Sequence, residues 1–470
     1  MNIWMSKTNI KYFIATVISV FVSYLFVVMT DTAVLPMGLL FAATAYYIYK
    51  RDKRSVFFFV ACTVAQGITL ILFAPYITSR ESNGLIIIKE LLVYGLAVIG
   101  FVKKRRERED IYFMLFCAIV AIDIIKASSL DLGIAGIGIS FRLAIAGLRQ
   151  IMVIFACYYM GKAIKVNSNS LKAVTDFIVF MAVFVVVIGF FMYAMEDSDW
   201  LSIGYGEYWN NRTSGNVAAN FINFYSWDLG FKLKRVVSTF VNPIACAHFI
   251  GMGFVIEFIL NRRRFLIKSI LAIGLLMCIS KSSLVLIMSV IVVKYYSKIK
   301  NTYLRFIFVL ICVVLGMFGL VFLSDYVGSL SQNTAIGNHF NAFLYGLRNG
   351  SLLGQGLGTV GYNAQLAGLT NYDEGFNESF LALCIAQIGI AGILFIYLFL
   401  ASVAKRTFVR YSNLKSDYIL ISLILFISII IESLFSASAL SMLGTGIYFI
   451  YAGMIATCFD TETKLKEERS

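Results

Sequence analysis

The stretch FIVFMAVFVVVIGFFMYAM, residues 177–195, decides the fold class of this chain because it contains no charged side chain along its whole length. An α-helix rises 1.5 Å per residue, so about 20 such residues cross the roughly 30 Å of hydrocarbon in a bilayer. Runs of the same kind recur at 12–29 (YFIATVISVFVSYLFVVM) and 306–323 (FIFVLICVVLGMFGLVFL). The sequence therefore predicts an all-α, polytopic integral membrane protein.

The composition agrees with this prediction. Of the 470 residues 60% are hydrophobic and only 14% are charged, whereas a soluble domain carries about 25% charged residues. The formal net charge is +14. The basic residues fall in short runs between apolar segments, at 50–54, 103–108, 262–264, 294–300 and 405–410. Such runs at every second connection are typical of cytoplasmic loops, so we interpret them as orienting the chain and predict no nucleic-acid partner.

Apolar segments and basic runs together predict about 14 spans in a single polytopic domain, 1–470, with both termini in the cytoplasm. The predicted spans are 10–29, 32–49, 55–74, 84–102, 111–126, 144–162, 175–195, 236–260, 265–280, 283–297, 304–324, 378–401, 418–436 and 438–457. Two long polar segments, 196–235 and 325–377, are predicted to be external loops. Loops longer than about 15 residues are usually functional or disordered, and neither is low in complexity, so we expect both to be folded and functional.

Metal and disulfide chemistry are not indicated. The eight cysteines all lie in apolar segments or at a predicted membrane end, and the chain has two histidines. Neither a disulfide framework nor a cluster of metal ligands follows from that distribution. We therefore predict no cofactor and no metal site.

Charged residues inside predicted spans are functional candidates, because each costs roughly 2.5–3.5 kcal/mol at the bilayer centre. In the predicted outer half they are Arg149, Glu378 and Glu432, and Arg142, Arg235 and Lys281 lie at the outer ends of spans. Several cations facing one external cavity would bind an anion as concentrated as a diphosphate. By contrast, His248 is interpreted as a buried packing residue, and Pro243 as a kink in the eighth span.

A glycine-rich stretch, GQGLGTVG at 354–361, matches G-x-G-x-x-G through Gly356, Gly358 and Gly361. That pattern binds a dinucleotide only when it follows a strand and opens the helix of a βαβ unit. No apolar strand is close on either side, so we reject the nucleotide interpretation. On an external face the available diphosphate is the head group of a lipid-linked sugar.

Four segments in a fixed order carry a family resemblance: RVVSTFVNPIACAHFIG (235–251), CISKSSLVLIMSV (278–290), HFNAFLYGLRNGSLLGQGLGTVG (339–361) and NESFLALCIAQIGIAGILF (377–395). Together they resemble the O-antigen polymerase and ligase superfamily, which includes the Wzy-type polymerases. That family shows an arginine before S-T-F-x-N-P, a short S-R or S-K turn, and a large glycine-containing external loop. The loop ends in an acidic residue that enters a span.

The resemblance implies a glycosyltransferase that needs neither nucleotide nor metal. It would transfer a growing surface polysaccharide from undecaprenyl diphosphate to a new lipid-linked repeat unit, on the outer face of the bacterial cytoplasmic (inner) membrane. A flippase and a chain-length regulator of the same pathway are the implied partners. The implied catalytic residues are Glu378, His339 and Arg235. The predicted contacts to diphosphate and sugar are Arg149, Arg142, Arg235, Lys281, Arg348, Gly356, Gly358 and Glu432, and the aromatic loop 196–235 is predicted to contact sugar.

Three alternatives remain. A ligase that passes glycan to lipid A-core belongs to the same family, but there a His-Asn pair usually stands where this chain has Phe376-Asn377-Glu378, which favours the polymerase. A flippase or transporter of lipid-linked oligosaccharide is the second, although no repeat relates the two halves of the chain. A membrane scaffold is the third, and it would leave the charges of the outer half unexplained.

Overall fold

The computed structural model describes residues 7–103, 107–129, 137–213, 221, 224–226, 232–260, 264–299, 350–360, 379–433, 436 and 441–459. Over these residues the chain forms fifteen α-helices and one antiparallel pair of two-residue strands. The first seven helices are α1 (Lys7–Thr30), α2 (Val34–Lys50), α3 (Lys53–Phe73), α4 (Ser79–Lys103), α5 (Arg108–Ser129), α6 (Ile137–Ala163) and α7 (Ser168–Tyr193).

Two short helices and the strand pair follow, namely α8 (Asp197–Ser202), α9 (Tyr205–Thr213), β1 (Tyr225–Ser226) and β2 (Leu233–Lys234). The remaining helices are α10 (Pro243–Ile259), α11 (Phe265–Met277), α12 (Lys281–Lys298), α13 (Phe380–Leu414), α14 (Asp417–Ser433) and α15 (Gly446–Cys458). Six helices are long and apolar enough to cross a membrane, over 10–30, 53–73, 79–102, 143–163, 168–193 and 380–414. The fold is thus helical and compatible with a multi-pass membrane protein.

The predicted spans overlap helices wherever the structure describes them, although several differ from those helices in extent. The eighth predicted span, 236–260, becomes helical only at Pro243, and the twelfth, 378–401, continues to Leu414. The eleventh, 304–324, lies outside the described residues, so the number of spans stays a prediction.

Helix α6 lies at the centre of the bundle, in contact with α4, α5 and α15. Its backbone touches that of α15 because both helices carry glycine at the crossing. A Cβ atom on Gly161 would lie 2.1 Å from the carbonyl oxygen of Ile450, and one on Gly453 would lie 2.1 Å from that of Tyr158. Small residues allow membrane helices to approach this closely, so these two glycines set the distance between the helices.

One end of the bundle, called here the loop end, is covered by α8, α9 and the strand pair. The aromatic side chains of this region are turned inward: Trp200, Tyr205, Tyr208 and Phe224 are all buried in a cluster with residues of α1, α3, α4 and α7. The described part of this region is folded. The four buried rings, however, pack against helix ends and do not offer a face to a sugar, so the prediction of sugar stacking is wrong for them.

The hydroxyl group of Tyr225 also belongs to this packing. It donates a hydrogen bond to Asp197 Oδ1 at 2.7 Å, and Lys232 Nζ lies 3.7 Å from the centre of its ring. Burial, together with the hydrogen bond to the carboxylate, raises the pKa of Tyr225 to about 12. The side chain is therefore a neutral hydrogen-bond donor at physiological pH.

The opposite end, called here the basic end, contains the α2–α3 and α6–α7 connections and the C-terminus of α15. A network of ion pairs joins α5, α6 and α13 there. Lys162 Nζ lies 3.3 Å from Glu107 Oε2 and 3.5 Å from Asp110 Oδ1, while Arg406 pairs with Glu107 and Glu109. The basic runs 103–108 and 405–410 were predicted to do no more than orient the chain. That is wrong for Arg406, because its guanidinium neutralises two of the carboxylates at the start of α5.

Candidate functional site

The residues around Arg235 form an irregular segment inside the bundle, defined here as the 235–242 segment. Val236 to Phe240 are buried, and Ser238 Oγ donates a hydrogen bond to the carbonyl oxygen of Val185 in α7 at 2.6 Å. On the other side the segment touches α3 at Gly67, where a Cβ atom would lie 2.5 Å from the Thr239 carbonyl oxygen. The segment is therefore held between α3 and α7.

The segment ends at Asn242, where helix α10 begins. The side chain of Asn242 accepts hydrogen bonds from the backbone N–H groups of Ile244 (3.0 Å) and Ala245 (2.9 Å), and Pro243 is the first residue of α10. Asparagine is a preferred N-cap residue, and proline suits the first helical position because its missing N–H would have no partner there. The predicted kink at Pro243 is therefore wrong: the proline begins α10 rather than bending it.

Two of the sequence motifs meet at Arg235. Its backbone N–H donates to the Phe224 carbonyl oxygen (2.8 Å), the next N–H, of Val236, donates to that of Met277 (3.0 Å), and Arg235 Nε donates to that of Cys278 (3.1 Å). Helix α12 begins three residues later, at Lys281. The arginine that precedes S-T-F-x-N-P thus lies against the α11–α12 turn that carries the lysine.

Helix lengths indicate how deep this contact lies. Helix α11 has 13 residues, which at 1.5 Å per residue is about 20 Å, less than the roughly 30 Å of a bilayer core. Helix α7 has 26 residues, and its Val185 lies two turns before the C-terminal end at Tyr193. The 235–242 segment therefore lies below the ends of the longest helices. Irregular backbone at such a depth occurs where protein buries it or where it lines a water-filled cavity.

The glycine stretch is built into a break in α13. Gly389 has φ +70°, which interrupts the helix and leaves backbone groups without helical partners. Residues 351–356 supply those partners in four hydrogen bonds: Gln355 N–H to Ala386 O (2.7 Å), Gly356 N–H to Gln387 O (3.0 Å), Ile390 N–H to Ser351 O (3.0 Å) and Ala391 N–H to Leu352 O (3.1 Å). The loop therefore provides the hydrogen-bond partners that the break in α13 leaves open, and the break does the same for the loop.

Gly358 brings the same loop against α6. Its φ is +74°, and a Cβ atom there would lie 2.0 Å from the carbonyl oxygen of Leu143. The Gln387 side chain holds the loop from α13, since its Oε1 accepts from Gly358 N–H (3.2 Å) and its Nε2 donates to Val360 O (2.7 Å). The glycines thus let the loop fold tightly against α6 and α13. Direct phosphate binding by Gly356 and Gly358 is not supported, because both N–H groups already donate to Gln387.

Arg149 is neutralised by a partner that the sequence analysis missed. Its Nε and one terminal nitrogen each lie 2.7 Å from an oxygen of Glu90 in α4, and the neighbouring Lys89 donates a hydrogen bond to Gln66 in α3. A bidentate pair of this kind satisfies both charges. Arg149 and Arg235 were predicted to face one cavity, but the first is held by α4 and the second by α11. The signal that could have found this pair is that Lys89 and Glu90 are charged residues inside the predicted span 84–102, the criterion that selected Arg149.

Glu432 is also engaged within the protein. His248 Nε2 lies 3.1 Å from Glu432 Oε1, and both side chains are buried, with exposures of 1% and 6%. Tyr448 donates its hydroxyl hydrogen to the carbonyl oxygen of His248 at 2.6 Å, and the two rings meet edge to face. The prediction that His248 is buried is confirmed. The partner of His248 is a carboxylate on another helix, which a packing role alone did not predict. Glu432, in turn, contacts His248, so its predicted contact with a bound diphosphate or sugar is not supported.

Several predicted site residues lie outside the described residues: Glu378, His339, Arg348 and Gly361, together with the side chains of Arg142 and Lys281. Within the part of the chain that the structure describes, no group of three His, Cys, Asp or Glu side chains is placed to hold a metal ion.

Comparison with protein-family models, with curated proteins and with solved structures finds no match to this chain. The resemblance drawn from the four motifs therefore stays a prediction, and the contacts of Arg235 carry the functional argument.

Proposed function

We propose that this protein is a polymerase of bacterial surface polysaccharide in the cytoplasmic (inner) membrane, with both termini in the cytoplasm and the loop end facing outward. The donor is a glycan on undecaprenyl diphosphate, and the acceptor is a new lipid-linked repeat unit. The observation that carries the proposal is the contact of Arg235 with the α11–α12 turn. This contact places a guanidinium and the start of α12 together inside the bundle, on irregular backbone near the loop end.

The chemistry needs two kinds of group. An acceptor hydroxyl oxygen forms a bond to the anomeric carbon of the donor, the bond from that carbon to the diphosphate oxygen breaks, and a base takes the hydroxyl proton. The departing diphosphate carries the negative charge, which cations stabilise. In this proposal Arg235 and Lys281 contact the diphosphate, and Glu378 or His339 is the base. Arg149 and Glu432 are not assigned to the anion site, because they already pair with Glu90 and His248.

The first test replaces Arg235. Loss of a charged contact to a phosphate or a transition-state oxyanion costs roughly 3–4 kcal/mol, a rate loss of about 10² to 10³. Arg235→Ala and Arg235→Gln, at unchanged protein level, should therefore abolish long chains. The glutamine keeps an N–H donor for the Cys278 carbonyl group, so it tests the charge separately from the fold. If the host makes lipopolysaccharide, gel electrophoresis of the lipopolysaccharide should show lipid A-core that carries a single repeat unit.

Lys232→Ala is the matched control, because Lys232 is an exposed cation three residues earlier whose ammonium lies over the Tyr225 ring. It should leave the ladder of long chains intact. Bare core with accumulated long lipid-linked polymer after Arg235→Gln would indicate a ligase. Bare core with single repeats stranded on the inner face would indicate a flippase. Either result, or an intact ladder, would reject the polymerase role of Arg235.

A further inference from the structure

A cavity of about 470 Å³ opens at the basic end, away from the proposed polymerase site. The α2–α3 connection, the C-terminal part of α4, the α6–α7 connection and the end of α15 enclose it. The lining residues that matter here are Arg51, Ile99, Lys162, Lys165, Asn167 and Thr457. Its volume is within the range of roughly 300–1,000 Å³ of pockets that hold small molecules.

The cavity is positively charged, and the fold itself brings the charges together. The backbone N–H of Lys165 donates to the carbonyl oxygen of Arg51 at 2.8 Å, so the backbones of these two cationic residues, distant in sequence, are joined where both line the cavity. Lys162 is neutralised by Glu107 and Asp110. No acidic side chain lines the cavity among the described residues.

Arg51 and Lys165 themselves lack an ion-pair partner within the described part of the chain. The nearest acid in sequence is Asp52, whose carboxylate lies 2.6 Å from Arg54. Both residues line the same cavity, so an anion bound there would be attracted by two positive charges. The arrangement therefore favours a bound anion.

We propose that this cavity binds the phosphate of an anionic phospholipid head group from the adjoining leaflet. Val98 and Val102, on either side of Ile99 in α4, are 63% and 71% exposed. On a membrane-spanning helix such residues face acyl chains, so a lipid lies next to the cavity wall. Basic pockets between membrane helices on the cytoplasmic side recognise anionic head groups. The inference does not depend on the polymerase assignment.

The test uses the full-length chain in a neutral detergent and follows its melting temperature during titration with dioctanoyl phosphatidylglycerol. A ligand that binds only the folded state raises the melting temperature with its concentration. Phosphatidylglycerol should raise it, and dioctanoyl phosphatidylcholine should not. In the Arg51→Gln/Lys165→Gln variant the half-saturating concentration should rise roughly 30-fold, about fivefold for each cation removed.

Lys172→Gln is the matched control, because it removes an exposed charge from the same end of the bundle outside the cavity. It should behave like the original chain, as should Arg51→Lys/Lys165→Arg, which keeps both charges. An unchanged response of the double glutamine variant would overturn the proposal, as would an equal response to phosphatidylcholine. Inorganic phosphate that gives the full shift at the same concentration would overturn the lipid assignment in favour of a soluble anion. Loss of response in the charge-keeping variant would show that shape, and not charge, supports the site.

Discussion

At the scale of single residues, charged side chains of different parts of this bundle have partners within the protein. Arg149 has Glu90, Glu432 has His248, and Lys162 has Glu107 and Asp110. A lone charge in an apolar interior is very costly, so a buried charge is kept only with a partner. A charge in a predicted span is therefore weak evidence for a ligand until its neighbours are known. The proposed role of Arg235 is supported by its position, since it donates to the Cys278 carbonyl oxygen of the α11–α12 turn on irregular backbone.

The His248–Glu432 pair gives a prediction at this scale. Removal of one partner leaves the other buried polar group without its neighbour, a loss that for a buried charge typically costs about 3–5 kcal/mol. His248→Leu should therefore lower the stability strongly, whereas His248→Leu/Glu432→Met, which removes both polar groups, should recover much of the loss. The dodecyl sulfate concentration at which half of the protein is unfolded measures the stability of both variants. Additive effects of the two substitutions would show that the two side chains are not energetically coupled.

At the scale of elements, two irregular pieces of backbone explain motifs that look like ligand sites in the sequence. The S-T-F-V-N-P residues, 238–243, are a turn and a helix cap that start α10 inside the bundle. The glycine stretch supplies hydrogen bonds to the interrupted helix α13 and lies against α6. In both cases the residue types are required by backbone geometry and close approach, which also positions the ends of the neighbouring helices.

Substitution of Gly358 tests whether backbone geometry and close approach require glycine in this loop. A non-glycine residue held at positive φ costs about 1–3 kcal/mol, and here its Cβ would overlap a carbonyl oxygen of α6. Gly358→Ala should lower the melting temperature by several degrees, and it should also separate the loop from α6. A spin-label or crosslinking distance between 355 and 145 measures that separation. Gly38→Ala in α2 is the control, because nothing lies within 4 Å of its Cβ position. It should be neutral or stabilising by up to about 1 kcal/mol. Equal effects of the two substitutions would contradict the packing role of Gly358.

At the scale of the whole molecule, the two ends of the bundle differ in chemistry. The loop end carries a folded aromatic cap and the 235–242 segment, while the basic end carries the ion network and the cavity. This asymmetry is what the positive-inside rule associates with an external and a cytoplasmic face. The proposed polymerase reaction and the proposed lipid site therefore belong to opposite faces of the membrane.

Topology is the prediction at this scale. Alkaline phosphatase is active only outside the cytoplasm, so a fusion at Asn211 of α9 should be active and a fusion at Lys104 inactive. Both fusions should be present at similar levels by immunoblot. Reversed activities would place the 235–242 segment on the cytoplasmic side, and the proposed polymerase would then have its site on the wrong face.

The sequence by itself determined the helical, membrane-compatible class of the fold and the position of almost every described helix. Hydrophobicity over about 20 residues is a local property, and it needs no knowledge of neighbours. The sequence could not show where backbone leaves a helix inside the bundle. The break at Gly389 and the late start of α10 exist because another part of the chain completes their hydrogen bonds. For the same reason, tertiary structure alone decided that Arg149 meets Glu90, that Glu432 meets His248, and that Arg51 and Lys165 share one cavity. Each of these contacts joins residues far apart in the chain, and only the packing of helices brings such residues within reach.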